Sequence, residues 1–132
     1  MKKLLPNIAA VVLGLLFLMA SVMFFLKLGP QPTFPEGSAI SHFFAAFGPT
    51  GYLAFVKVFE LVGGLLVMIP RLRNFGLLLL GPIVVNIIAY HMLVDDPHSM
   101  LNIQYMWMLY IITGCSLYLL WVERKKFAAL LN

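Results

Sequence analysis

The sequence predicts an all-α integral membrane protein: a four-helix bundle with a short interfacial helix in its first outer loop. Of its 132 residues, 62% are hydrophobic and 11% charged, against about 45–50% and about 25% in an average soluble domain. The apolar residues are gathered into four runs, at about residues 8–28, 51–69, 75–94 and 103–122. Each is close to the roughly 20 residues that a helix needs to cross about 30 Å of hydrocarbon. The basic residues collect at alternate run ends. Residues 1–132 are expected to form a single transmembrane domain.

The first run follows MKKLLPN. A basic start before an apolar stretch is also the pattern of a signal peptide. The stretch is too long for a signal h-region, and Ala20-Ser21 is a poor cleavage site, so an uncleaved helix is expected. The connection after it, GPQPTFPEGSAISHFFAAFGPTG, is rich in proline in its first part, which excludes a regular helix there. Its second part, about residues 38–47, offers Ser38 as an N-cap and aromatics in its later turns. It is expected to be a short helix in the interface, acting as a lid or as a connector anchored by its Phe residues. The second run stops at Pro70, the third ends before DDPH, and the fourth before ERKK. Barrel strands are not expected, because the runs lack their alternation.

Seven of the nine basic residues fall on one side of such a bundle: Lys2 and Lys3, Arg71 and Arg73, and Arg124, Lys125 and Lys126. The positive-inside rule then makes both termini cytoplasmic and puts Glu36, Asp95 and Asp96 outside. The net charge of +4 is therefore read as a topology signal, and no basic-aromatic patch suggests nucleic acid. Cys115 is the only cysteine, so no intrachain disulfide, CxxC pair or zinc motif exists. There is no GxSxG, Walker or GxGxxG motif and no CxxCH haem-attachment sequence.

Within FVKVFELVGG of the second run stand two further charges, Lys57 and Glu60. At 1.5 Å per residue from the outer end, Lys57 lies about 9 Å deep and Glu60 about 13 Å. In the third run His91 lies about 5 Å deep and Asn86 about 12 Å. All four occupy the outer half. Lys57 and Glu60 share a face, as do Asn86 and Tyr90. His91 lies about 140° from Asn86 on an ideal helix, so it joins them only if the third helix is contacted on two sides or bent at Gly81-Pro82. Asn102, Gln104 and Tyr105 at the start of the fourth run, and Lys27 at the end of the first, fall at the same end.

A lone charge deep in a span costs about 2.5–3.5 kcal/mol. Pairing, an interior position, or a proton on Glu60 lowers that cost. Lys57, Glu60, Asn86, Tyr90 and His91 are accordingly the candidate ligand-binding residues. Other readings stand beside this one. The pair locks helices together; Lys57 snorkels outward; Asn86 joins helices; His91 is a packing residue. A metal site from Glu60, His91 and His42 lacks ligand spacing, and none is expected. His42 and His98 are expected in solvated loops. Gly63 and Gly64 would admit a ring or tail, or, with Ala10 and Gly14, dock a partner helix.

Taken in order, LGLLFLMASVMFFLKL, the E-x-x-G-G-L-L turn from Glu60 to Leu66, the I-P-R end from Ile69 to Arg71, and VNIIAYH from Val85 to His91 resemble the DoxX family. The loop after the first run is longer and richer in proline than in the family's smallest members. The resemblance implies a small four-helix protein of the bacterial cytoplasmic membrane. It further implies an association with quinol oxidase or thiosulfate–quinone systems, or with oxidative, thiol, catechol or quinone stress. Glu60, Asn86 and His91 match polar positions of the family pattern. A quinone is the implied ligand, and no catalytic residue follows. The expected partners are the lipid bilayer, a quinone or other small apolar molecule, and a redox partner protein or a second copy. The alternatives are a non-enzymatic accessory or scaffold subunit and, less favoured with only four helices, a small transporter.

Overall fold

The computed structural model describes residues 4–27, 34–94 and 103–131, with the side chains of 103–106 left aside. Every regular element among the described residues is helical: α1 (Leu4–Leu26), α2 (Ala39–Phe47), α3 (Tyr52–Met68), α4 (Arg73–Leu93), α5 (Ile103–Val122), α6 (Arg124–Ala128) and a closing 3-10 turn (Ala129–Leu131).

α1 already takes in Leu4–Asn7, ahead of Ile8 where the apolar run is marked, and Pro6 is part of it. It ends at Lys27, whose φ of 54° places it in the left-handed region that helices do not continue. Ser38 caps α2 as expected, its Oγ accepting from the Ser41 N–H at 3.2 Å. Gly51, with φ 82°, turns the chain between α2 and α3, which meet at 83°. α3 stops because Pro70 forces Ile69 into extended backbone, φ −88° and ψ 114°. α4 runs through Pro82 without a break.

The long helices pack in a ring: α1 on α3, α3 on α4, α4 on α5, and α5 back on α1. Phe17, Leu13, Leu80, Leu119 and Val67 are its fully buried large side chains. Glycines set the closest crossings. A Cβ on Gly14 would lie 2.6 Å from the Gly64 carbonyl oxygen, and one on Gly64 would lie 3.1 Å from the Gly14 carbonyl oxygen. A Cβ on Gly76 would lie 2.6 Å from the Val67 amide nitrogen and 2.9 Å from the Gly63 carbonyl oxygen. Ala10, Gly14, Gly63 and Gly64 are thus buried inside the chain. They offer no face to a partner helix, contrary to the docking alternative.

The outer faces of the ring remain apolar. Val11 and Leu15 on α1, Phe55 and Leu65 on α3, Leu78 and Val85 on α4, and Leu117 and Trp121 on α5 are all exposed. Exposed apolar surface this continuous calls for apolar surroundings. α1 and α4 are long and apolar enough to cross a membrane; α2 with α3 makes a third only if that bent pair is one span.

At the end of the ring nearest the termini, Arg73 is buried, 7% exposed. Its Nε donates to the Val67 carbonyl at 3.1 Å and an Nη donates to Asn7 Oδ1 at 2.9 Å. One planar guanidinium thereby ties α4 to the last turns of α3 and to the start of α1. An ammonium cannot reproduce that fork. Arg73→Lys is expected to lower stability by about 1–2 kcal/mol, read as a fall in the thermal unfolding midpoint in detergent. Nearby, Asn74 donates to Glu123 at 3.5 Å, and Lys126 pairs with Glu123 at 3.2 Å. Phe127 packs against the core, which holds α6 across the foot of the ring.

Candidate functional site

The ring is not filled at its other end. A partly open cavity of about 430 Å³ lies there, within the range of small-molecule sites. Leu53, Val56, Lys57 and Glu60 reach it from α3; their spacing of three, four and seven is one face of a helix. Asn86, Ile87, Tyr90 and His91 line it from α4. All five residues singled out in the sequence therefore meet at a single cavity. Phe17, Ala20 and Phe24 supply the α1 wall, and Met108, Leu109 and Ile112 the α5 wall. Sequence reasoning missed these two walls, although their three-, four- and seven-residue spacings at the matching depth carried the signal.

His91 reaches the cavity without a break in α4. The lining residues of that helix, 86, 87, 90 and 91, cover an arc of about 140°. The cavity is wide enough to take that arc because α2 lies beyond it. Phe43 and Phe44 of α2 both line the cavity. Their ring centroids stand 5.0 and 6.1 Å from that of Tyr90. Phe47 faces Tyr52 at 4.6 Å. α2 buries none of its residues and is held over the cavity by these aromatic contacts, the geometry of a lid.

The charged pair is formed. Lys57 Nζ lies 2.9 Å from Glu60 Oε2, with the Glu60 side chain 4% exposed and that of Lys57 25%. The Lys57 ammonium also lies 5.8 Å from the Phe24 ring centroid, a cation–π contact. The Ser21 hydroxyl donates to the Lys57 carbonyl at 3.3 Å, which ties this turn of α3 to α1. Although the ammonium is close, it is not aligned as a donor: Glu60 Oε2 is buried and accepts no hydrogen bond among the described residues. Its charge is balanced while its lone pairs stay unengaged.

Other expectations are placed differently. Gly63 and Gly64 are absent from the cavity wall; they face Leu80, Gly14 and Phe17, so they set helix spacing and do not receive a ring or tail. Lys27 is exposed and does not line the cavity. His42 is exposed on α2. His98, Asn102 and the side chains of Gln104 and Tyr105 lie outside the described residues. Among the described residues, no three of His, Cys, Asp and Glu gather as a metal site. Cys115 is half-buried on α5, away from the cavity lining.

The arrangement suits a molecule with a flat or chain-like apolar body and a polar group. The body would rest on the Phe and aliphatic walls, and the polar group would meet the Lys57–Glu60 pair and Asn86. Comparison with protein-family models, curated proteins and solved structures finds no match to the chain.

Proposed function

We propose that this is a DoxX-like membrane protein whose cavity binds a quinone or a lipid-like small molecule in a membrane redox or stress-response process. The observation that carries the reading is the convergence of Lys57, Glu60, Asn86, Tyr90 and His91 on one otherwise apolar cavity. Intramembrane charges are costly enough that they mark ligand sites by default. The quinone is what the resemblance to the DoxX family implies. In this reading α1, α3, α4 and α5 all cross the bacterial cytoplasmic membrane. The 17 residues of α3 stand at the short end of the roughly 17–25 that suffice. Both termini are cytoplasmic in this reading, because the basic residues of α6 and of the turn before α4 lie at the same end of the ring as Asn7 of α1. The cavity then lies in the outer half.

Titration of the purified protein in detergent with 2-decyl-1,4-benzoquinone, followed by calorimetry or by the fluorescence of Trp107 and Trp121, tests the ligand. Saturable binding at one site that weakens at least about tenfold in Lys57→Met/Glu60→Leu, which removes the donor to the ligand's polar group, is expected. Absence of binding by a folded protein refutes the reading. A fluorescent-protein fusion after Asn132 is expected to glow and a phosphatase fusion at the same point to be inactive; the reverse refutes the orientation.

A further inference from the structure

We infer that Glu60 makes the cavity selective for the reduced, hydroxyl-bearing form of its ring ligand, a quinol or phenol, over the quinone. This rests on the reading of the cavity as a quinone-class site and specifies which form that site holds.

The inference starts from a one-sided group. Glu60 lines the cavity and is 3% exposed, and its Oε2 accepts no hydrogen bond among the described residues. An ionised carboxylate only accepts. Lys57 Nζ, 2.9 Å from that oxygen, only donates. The pair thus presents an acceptor and a donor side by side. A hydroxyl is the small group that answers both: its O–H donates to Glu60 once the carboxylate turns its covered Oε2 into the cavity, and its oxygen accepts from Lys57. A quinone carbonyl accepts from Lys57 but sets its own oxygen against Glu60, and Oε2 remains without a donor. Such an unmet buried group weakens binding. Asn86 carries both an N–H donor and a carbonyl acceptor, so it does not discriminate between the two forms. The body of the ligand is set by the walls. Phe17 and Phe24 on one side and Phe43, Phe44 and Tyr90 on the other offer ring faces that favour a flat aromatic partner.

The test uses three ligands of equal ring and tail: 2-decyl-1,4-benzoquinol, 2-decyl-1,4-benzoquinone and the quinol's dimethyl ether. Each is titrated anaerobically into the unmodified protein in detergent. The quinol is expected to bind at least about tenfold tighter than the other two, as one charge-assisted hydrogen bond implies. In Glu60→Gln, whose amide can donate to a carbonyl, the quinol–quinone ratio is expected to fall below about threefold. The comparison on unmodified protein decides the matter even where the variant fails to fold. Equal affinities, or a tighter quinone, overturn the selectivity and leave the cavity reading standing. Absence of binding by all three overturns both.

Discussion

Lys57→Ala is expected to destabilise the protein by about 3 kcal/mol, whereas Lys57→Met/Glu60→Leu is expected to stay within about 1 kcal/mol of the parent. The reasoning turns on where the two charges lie. The Glu60 side chain is 4% exposed and its one ionic neighbour among the described residues is Lys57 at 2.9 Å. Removing the ammonium leaves a carboxylate in an apolar wall, and that unpaired state is the expensive one. Replacing both partners removes the cost together with the gain. The low end of the usual range applies, because the Lys57 side chain keeps 25% of its surface exposed and solvent or headgroups screen it in part. Unfolding curves in detergent for the parent, the single variant and the double variant measure the difference. The double variant also separates stability from function: it is expected to fold and to lose ligand binding. A single variant as stable as the parent would show that the pair contributes no net energy to the fold.

Gly76→Leu is expected to cost about 3 kcal/mol or more, the upper range for overpacking, and Gly14→Leu a similar amount. The reason is the nature of the neighbours. The first added atom at Gly76 meets the Val67 nitrogen at 2.6 Å and the Gly63 oxygen at 2.9 Å, both backbone, and the one at Gly14 meets the Gly64 carbonyl oxygen at 2.6 Å. Backbone cannot rotate aside as a side chain does, so whole helices must part. The internal control is Gly114→Ala in α5, where an added Cβ meets nothing within 4 Å. That change is expected to be neutral or to gain up to about 1 kcal/mol from helix propensity. Thermal midpoints of the three variants, measured side by side, give the comparison. A tolerated Gly76→Leu would mean that α3 and α4 do not cross where the structure places them.

The helices themselves were legible because their ends are written locally. Pro70 stops α3 through its effect on Ile69, and Ser38 caps α2 with its own hydroxyl. Counting depth along two helices was enough to bring Glu60 and Asn86 nearly level and to put Lys57 and His91 in the same outer half, since the rise per residue is constant. What remained hidden depends on contacts between distant segments. Arg73 counted as a topology signal like Arg71, yet its guanidinium is buried against Asn7 and Val67. Gly63 and Gly64 lie within about 60° of the Glu60 face, but about 4.5–6 Å farther along the helix, where Leu80, Gly14 and Phe17 close against them and the cavity has ended. α6 went unforeseen because its anchor is the packing of Phe127 on the core. His91 falls outside the Asn86 face of an ideal helix, and the breadth of the cavity brings it in.

The tight crossings at Gly14, Gly64 and Gly76 fix how closely the helices approach between the foot of the ring and the open end. Whatever stands at those positions governs how far the walls diverge above them, and hence the bore available to a guest. None of the three faces the guest. The residues that set helix spacing are therefore distinct from those that line the cavity, so mutation can widen or narrow the chamber while its charged pair stays intact.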